Sequence, residues 1–166
     1  MEWKDQVLTE LERYLIKNGM ETEPAEAMVH FVIKNIGDRE EWKALGQISF
    51  VPYMATGEEE ILQIFLAAAK NVDLALKEVL SVKIMELNRA ATFGHLGMDE
   101  QGLIFYQYRL PVVGKNLELV RKAFELVVYE MFTFLDAFYA YILVIINKPD
   151  KLTLSRYMEL MLMEEE

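Results

Sequence analysis

The chain has 166 residues, enough for one domain with a substantial core, and 17 Lys and Arg stand against 27 Asp and Glu for a formal net charge of −10. That acidity repels phosphate backbones and anionic headgroups, which argues against nucleic acid as a general partner. With no cysteine, disulfides, thiolate metal sites and a cysteine nucleophile are excluded.

The opening Met1-Glu2-Trp3-Lys4-Asp5 has neither the basic start nor the apolar run of a signal peptide, so the expected location is the cytoplasm. The segment from Glu2 to Lys17 reads as an amphipathic helix, with Trp3, Val7, Leu11, Tyr14 and Leu15 on one face and Asn18-Gly19 as its exit. Thr22-Glu23-Pro24-Ala25 reads as a connection. Three strand-like runs follow: Met28–Ile36, Trp42–Tyr53 and Ile61–Ala68. Val29, Phe31 and Ile33 alternate with His30, Val32 and Lys34 in the first run, a two-residue period. Gly46 suggests a bulge in the second run, and Pro52 its end. In the third, Leu66-Ala-Ala-Ala-Lys70 could begin a helix early.

A helix is expected over Val72 to Arg89, capped by Asn71 or Asp73. A hairpin comes next, with strands Thr92–Met98 and Leu103–Leu110 about the turn Asp99-Glu100-Gln101-Gly102. Asn116 then caps a long apolar helix, Leu117 to Ile146. Its large residues recur at steps of three and four through Leu117, Val120, Phe124, Val127, Met131, Phe134, Phe138, Tyr141 and Ile145. A second stripe runs through Val128, Phe132, Leu135, Tyr139, Ile142 and Ile146. A helix apolar on two faces must be covered on both. One cover is the domain's own core. The other is a second copy, a client, or the chain's own C-terminal segment. Glu130 and Asp136 interrupt the apolar run at 126–146, at a cost on the order of 3 kcal/mol for an acidic residue near a bilayer centre. This argues against a membrane span, although membrane association through 126–146 stands as a weaker option. After Asn147-Lys148-Pro149-Asp150 a short Met-rich helix is expected, with Leu154, Tyr157, Met158 and Met161 on one face.

No constellation for catalysis emerges. His30 and His95 lack a second ligand at metal spacing and read as hydrogen-bonded strand histidines. Ser49, Ser81 and Ser155 have no nucleophile elbow, and Gly94 and Gly97 open no phosphate loop. Neither a metal nor a cofactor is expected. Glu130 and Asp136, six apart, do not form a close dyad; each is expected to face solvent at a groove edge or to meet a Lys or Arg. The alternative is that one of them receives a partner's basic residue.

Leu87-Asn88, then Thr92-Phe93-Gly94-His95-Leu96-Gly97-Met98-Asp99-Glu100-Gln101-Gly102, then Tyr108-Arg109-Leu110-Pro111, resemble the hairpin signature of YbjN-like proteins, a family that shares its fold with type III secretion chaperones. The match covers residues 83–135, and residues 1–70 only by element order. The resemblance implies a small, acidic, non-enzymatic homodimer that binds another protein or acts in regulation, and it brings no catalytic residues. Two features depart from the family pattern: the helix after Pro111 is longer and more aromatic, and a Met-rich helix follows it.

The expectation is therefore one α+β domain over 1–166, a chaperone-like core at 1–148 with a C-terminal helix at 149–166. An antiparallel sheet carries helices on one side in the order α-β-β-β-α-β-β-α-α. The chain is expected to act as a non-enzymatic homodimer that also binds a client. The association surface would use Phe132, Leu135, Tyr139, Ile142 and Ile146. The alternative is a small-ligand sensor or enzyme with a pocket between sheet and long helix, lined by Phe105, Tyr106, Tyr108 and Phe134.

Overall fold

The computed structural model describes residues 2–34, 36, 43–54, 59–112 and 114–147, except for the side chains of residues 59, 60 and 139. The elements in chain order are α1 (Trp3–Lys17), β1 (Glu21–Ala25), β2 (Met28–Lys34), β3 (Lys43–Pro52), β4 (Glu59–Ala69), a 3-10 turn (Leu74–Leu76) running into α2 (Lys77–Arg89), β5 (His95–Met98), β6 (Ile104–Pro111) and α3 (Leu117–Ala137). A π turn, Phe138–Ile142, continues α3 into α4 (Leu143–Asn147). The expected helix at 149–166 lies outside the described residues.

The six strands form one antiparallel sheet in the order β1-β2-β3-β4-β6-β5. This is the expected α+β class with one more strand. Thr22–Ala25 reads as a connection because it is short, polar and contains Pro24, but it belongs to β1. Polarity and Pro24 both suit an edge strand, where the missing N–H faces outward and charge discourages further pairing.

Register sorts the two faces. The row Phe31, Gly46, Leu66, Tyr106, Leu96 crosses β2 to β5 on the helix side and is buried. The adjacent row His30, Gln47, Phe65, Gln107, His95 lies on the opposite face. A two-residue period makes this division strict. Gly46 marks no bulge. The register runs straight through it, and a Cβ there would fall 2.0 Å from the Phe31 ring, which lies over the gap. The irregularity sits instead between Val51 and Pro52, where β3 ends. Ala67, Ala68 and Ala69 stay in β4, since Ala67 and Ala69 pair with β6 around an irregularity at Ala68, and that pairing overrides their helical propensity.

Caps and turns follow the sequence closely. The Asp73 carboxylate accepts the Ala75 N–H at 2.9 Å, and the Asn116 side chain accepts the Leu119 N–H at 3.0 Å. Gly102 adopts a φ of +77°, and a Cβ there would meet the Val72 carbonyl oxygen at 2.3 Å.

On the covered face, α1 buries Val7, Leu8, Leu11 and Leu15, and its Tyr14 ring meets Phe124 of α3 edge-on at 5.7 Å. α3 buries Val120, Phe124, Val127, Val128, Met131, Phe134 and Leu135. The π turn then adds a residue to the ladder and rotates the phase. Burial passes from Phe138 to Ile142, while Tyr141 swings outward under the Lys83 ammonium, 4.6 Å from its ring.

Candidate binding face of the long helix

Glu130 lies at the centre of the only three-element polar junction on α3 among the described residues. Its carboxylate accepts the backbone N–H groups of Thr92 at 2.6 Å, Phe93 at 3.0 Å and Gly94 at 2.8 Å, and the Tyr106 hydroxyl at 2.9 Å. One side chain therefore ties the loop before β5, strand β6 and helix α3 together. Three successive N–H groups pointing inward make a concave anion site, and Glu130 fills it. Burial by itself would raise the Glu130 pKa. The N–H groups of Gly94, Thr92 and Phe93, joined by the Tyr106 hydroxyl, outweigh that effect and hold the carboxyl below its ordinary value. Burial, followed by the bond to Glu130, pushes the Tyr106 phenol well above its usual range.

The neighbouring residues fit this junction. Gly94 is required because an added Cβ would sit 2.3 Å from the Tyr106 ring. Asn88, at the end of α2, donates to the Leu96 carbonyl at 2.9 Å and accepts the Leu96 N–H at 2.8 Å. Its amide thus behaves like one residue of a further strand and closes part of the free edge of β5.

The junction sets Phe93 at the rim of a cavity of about 300 Å³ between the end of α2 and α3. Leu87, Ala90, Thr92, Phe93, Leu126, Tyr129, Glu130, Thr133, Phe134 and Ala137 line it. Tyr129 is 78% exposed and Leu126 56%, both large apolar surfaces left uncovered on α3.

The residues expected to form an association stripe fall in different places. Leu135 and Ile142 are enclosed in the chain's own core at 3% and 0% exposure, Ile146 is half-buried, and Phe132 is 37% exposed. The Tyr139 side chain lies outside the described residues. The assignment of that stripe to the outside is corrected for Leu135 and Ile142. Most described residues of both apolar stripes are covered within the chain, with Phe132 and Tyr141 left exposed, and the more open face is a third one.

The four expected pocket residues do not share a face. Tyr106 and Phe134 pack together, rings 5.5 Å apart, and Tyr108 meets Phe93 edge-on at 6.3 Å. Phe105 lies on the other side of the sheet, stacked on Phe65 at 5.2 Å with His95 beside it. Strand alternation forbids Phe105 and Tyr106 from lining one pocket. Of the four, only Phe134 reaches the cavity. Asp136 is exposed, and His30 and His95 are exposed on the open sheet face. No three His, Asp or Glu side chains converge among the described residues.

The role of Glu130 was not legible in the sequence. Its backbone partners are 36 to 38 residues away and Tyr106 is 24 away, and two of its three N–H donors come from residues of ordinary type. Leu117–Asn147 is long and apolar enough to cross a membrane by length and composition, and 41% of its most apolar window is buried in the chain.

No protein-family model and no curated protein matches the chain. Among solved structures it is similar to the crystal structure of YbjN from E. coli, described there as a candidate transcription regulator. The TM-score is 0.53 at 14% identity, and the match covers 81% of this chain and 92% of that one. The chain therefore has a YbjN-like fold.

Proposed function

We propose that this chain is a non-enzymatic, chaperone-like binding or regulatory module that acts as a homodimer through α3 and offers apolar surface to a client protein. The observation that carries this reading is the open face of α3, where Leu126 and Tyr129 project beside the cavity rimmed by Phe93. Uncovered side chains of that size, next to a concave apolar surface, are the usual composition of a protein-binding patch. Glu130 braces the rim, so the patch is held in shape before anything docks. A regulatory role agrees with the description given to YbjN, and the net charge of −10 disfavours direct attraction to nucleic acid.

Light scattering on the full chain tests this. The expected mass is twice that of one chain, and Tyr129→Glu should halve it with an unchanged circular dichroism spectrum. A monomeric wild type would overturn the homodimer. A second reading follows from the cavity itself, whose volume suits a small apolar ligand. It predicts a monomer whose melting temperature rises with a compact aromatic probe such as indole.

A further inference from the structure

We infer that the second copy packs antiparallel along α3, with the two-fold axis passing at Tyr129, so that Lys122 of each copy meets the partner's Asp136. This inference rests on the homodimer reading and specifies its geometry.

The open face of α3 is a regular seam. Leu119, Lys122, Leu126, Tyr129, Thr133 and Asp136 are all exposed within α3, and they follow one another at steps of three, four, three, four and three. That alternation keeps one line of side chains on a facing helix. The seam is mostly apolar or small and carries one charge of each sign. Lys122 and Asp136 each lie seven residues from Tyr129, on opposite sides.

Symmetry then selects the pairing. A parallel, in-register pair would stack Lys122 on Lys122 and Asp136 on Asp136, which repels at two levels. An antiparallel pair about Tyr129 places Lys122 against Asp136 twice, because an isologous contact repeats every pair. Leu126 then faces the partner's Thr133, over the cavity that Thr133, Leu126 and Phe93 line. Sliding the antiparallel pair by about one turn in either direction sets an apolar side chain against the partner's Asp136, Leu119 one way and Leu126 the other. Only the register centred on Tyr129 satisfies both charges without that mismatch. Within one chain Lys122 pairs with Glu118 at 2.9 Å, an exposed (i, i+4) bond too weak to withhold it. Asp136 makes no ion pair among the described residues.

The chain contains no cysteine, so engineered thiols report directly on this geometry. The experiment is mild oxidation of the full-length Lys122→Cys and Asp136→Cys single variants and of the double variant, read on non-reducing gels beside light scattering. In the proposed register the two copies of Lys122 are about 21 Å apart along the helix axis, beyond disulfide reach. The double variant should therefore cross-link nearly completely, and neither single variant should. Charge reversal gives an independent readout. Lys122→Asp or Asp136→Lys alone should weaken dimerisation about tenfold or more, and the two together should restore it. Efficient cross-linking of a single variant would mean a parallel pair or an antiparallel pair centred on that residue, and would overturn the inference. A dimer by mass that no variant cross-links would overturn the register and leave the homodimer standing. A monomer, or a chain that partitions into vesicles, would overturn both.

Discussion

The Tyr106 hydroxyl and the Glu130 carboxylate meet at 2.9 Å across the boundary between sheet and helix, and this contact fixes where α3 presents its open face. Tyr106 is buried at the helix side of β6, 24 residues before Glu130 in the chain. A carboxylate with four fixed donors is a rigid anchor, whereas the same carboxylate in water has only mobile water donors. The rim residue Phe93 inherits its position from this pairing.

Replacing Glu130 by Gln should therefore cost stability and shape together. Gln keeps the size but removes the charge that makes these hydrogen bonds strong, and it turns two acceptor sites into donors facing N–H groups. The expected loss is about 2 kcal/mol in urea unfolding, with lower hydrogen-exchange protection confined to residues 92–94. Unchanged protection at those amides would show that the brace is not needed to hold the loop.

The same group makes a pH prediction. Its folded pKa is below the ordinary 4.5, which the unfolded chain retains. The unfolded state thus binds the proton more tightly, and stability from Glu130 is fully present above that ordinary value. It is lost as pH falls through the lower folded value. The wild type should lose stability on acidification below pH 4.5 more steeply than Glu130→Gln, in parallel thermal melts. Identical acid limbs would contradict the assignment.

Gly94→Ala is expected to be destabilising by about 2 kcal/mol or more, because the new methyl would press on the Tyr106 ring from 2.3 Å. The ring belongs to a nearly fully buried residue and has little room to retreat. Near-UV circular dichroism should report the displaced tyrosine. Gly114→Ala makes a useful comparison, since its Cβ would meet nothing within 4 Å and only its φ of +74° resists the change.

Asn88 should tolerate neither Ala nor Asp. Alanine leaves the Leu96 N–H and carbonyl unpaired, at a cost of about 2 kcal/mol. Aspartate still accepts the N–H but sets a carboxylate oxygen against the Leu96 carbonyl. Both variants should loosen β5 first, visible as faster exchange at Leu96 than at Tyr106. Aspartate as stable as the wild type would mean that the amide donor contributes nothing.

What the sequence determined by itself are the features decided by local chemistry. The two-residue alternation in Met28–Lys34, the caps at Asp73 and Asn116, the Gly102 turn and the long heptad-like run of α3 each depend on residues within one or two turns of each other. The hairpin signature from Leu87 to Pro111 pointed further, to the YbjN-like fold. Only the tertiary structure decided which apolar stripe stays uncovered. Spacing set Leu135 on a stripe expected to face a partner and left Tyr129 on neither stripe, and their burial was decided by how α1, the sheet and the π turn at Phe138–Ile142 enclose the helix. The edge strand Glu21–Ala25 was likewise invisible, because its polar residues become a strand only when β2 supplies the ladder. Glu130 shows the same rule most clearly. Its meaning comes from three backbone N–H groups some 37 residues away, and backbone donors leave no mark in a sequence.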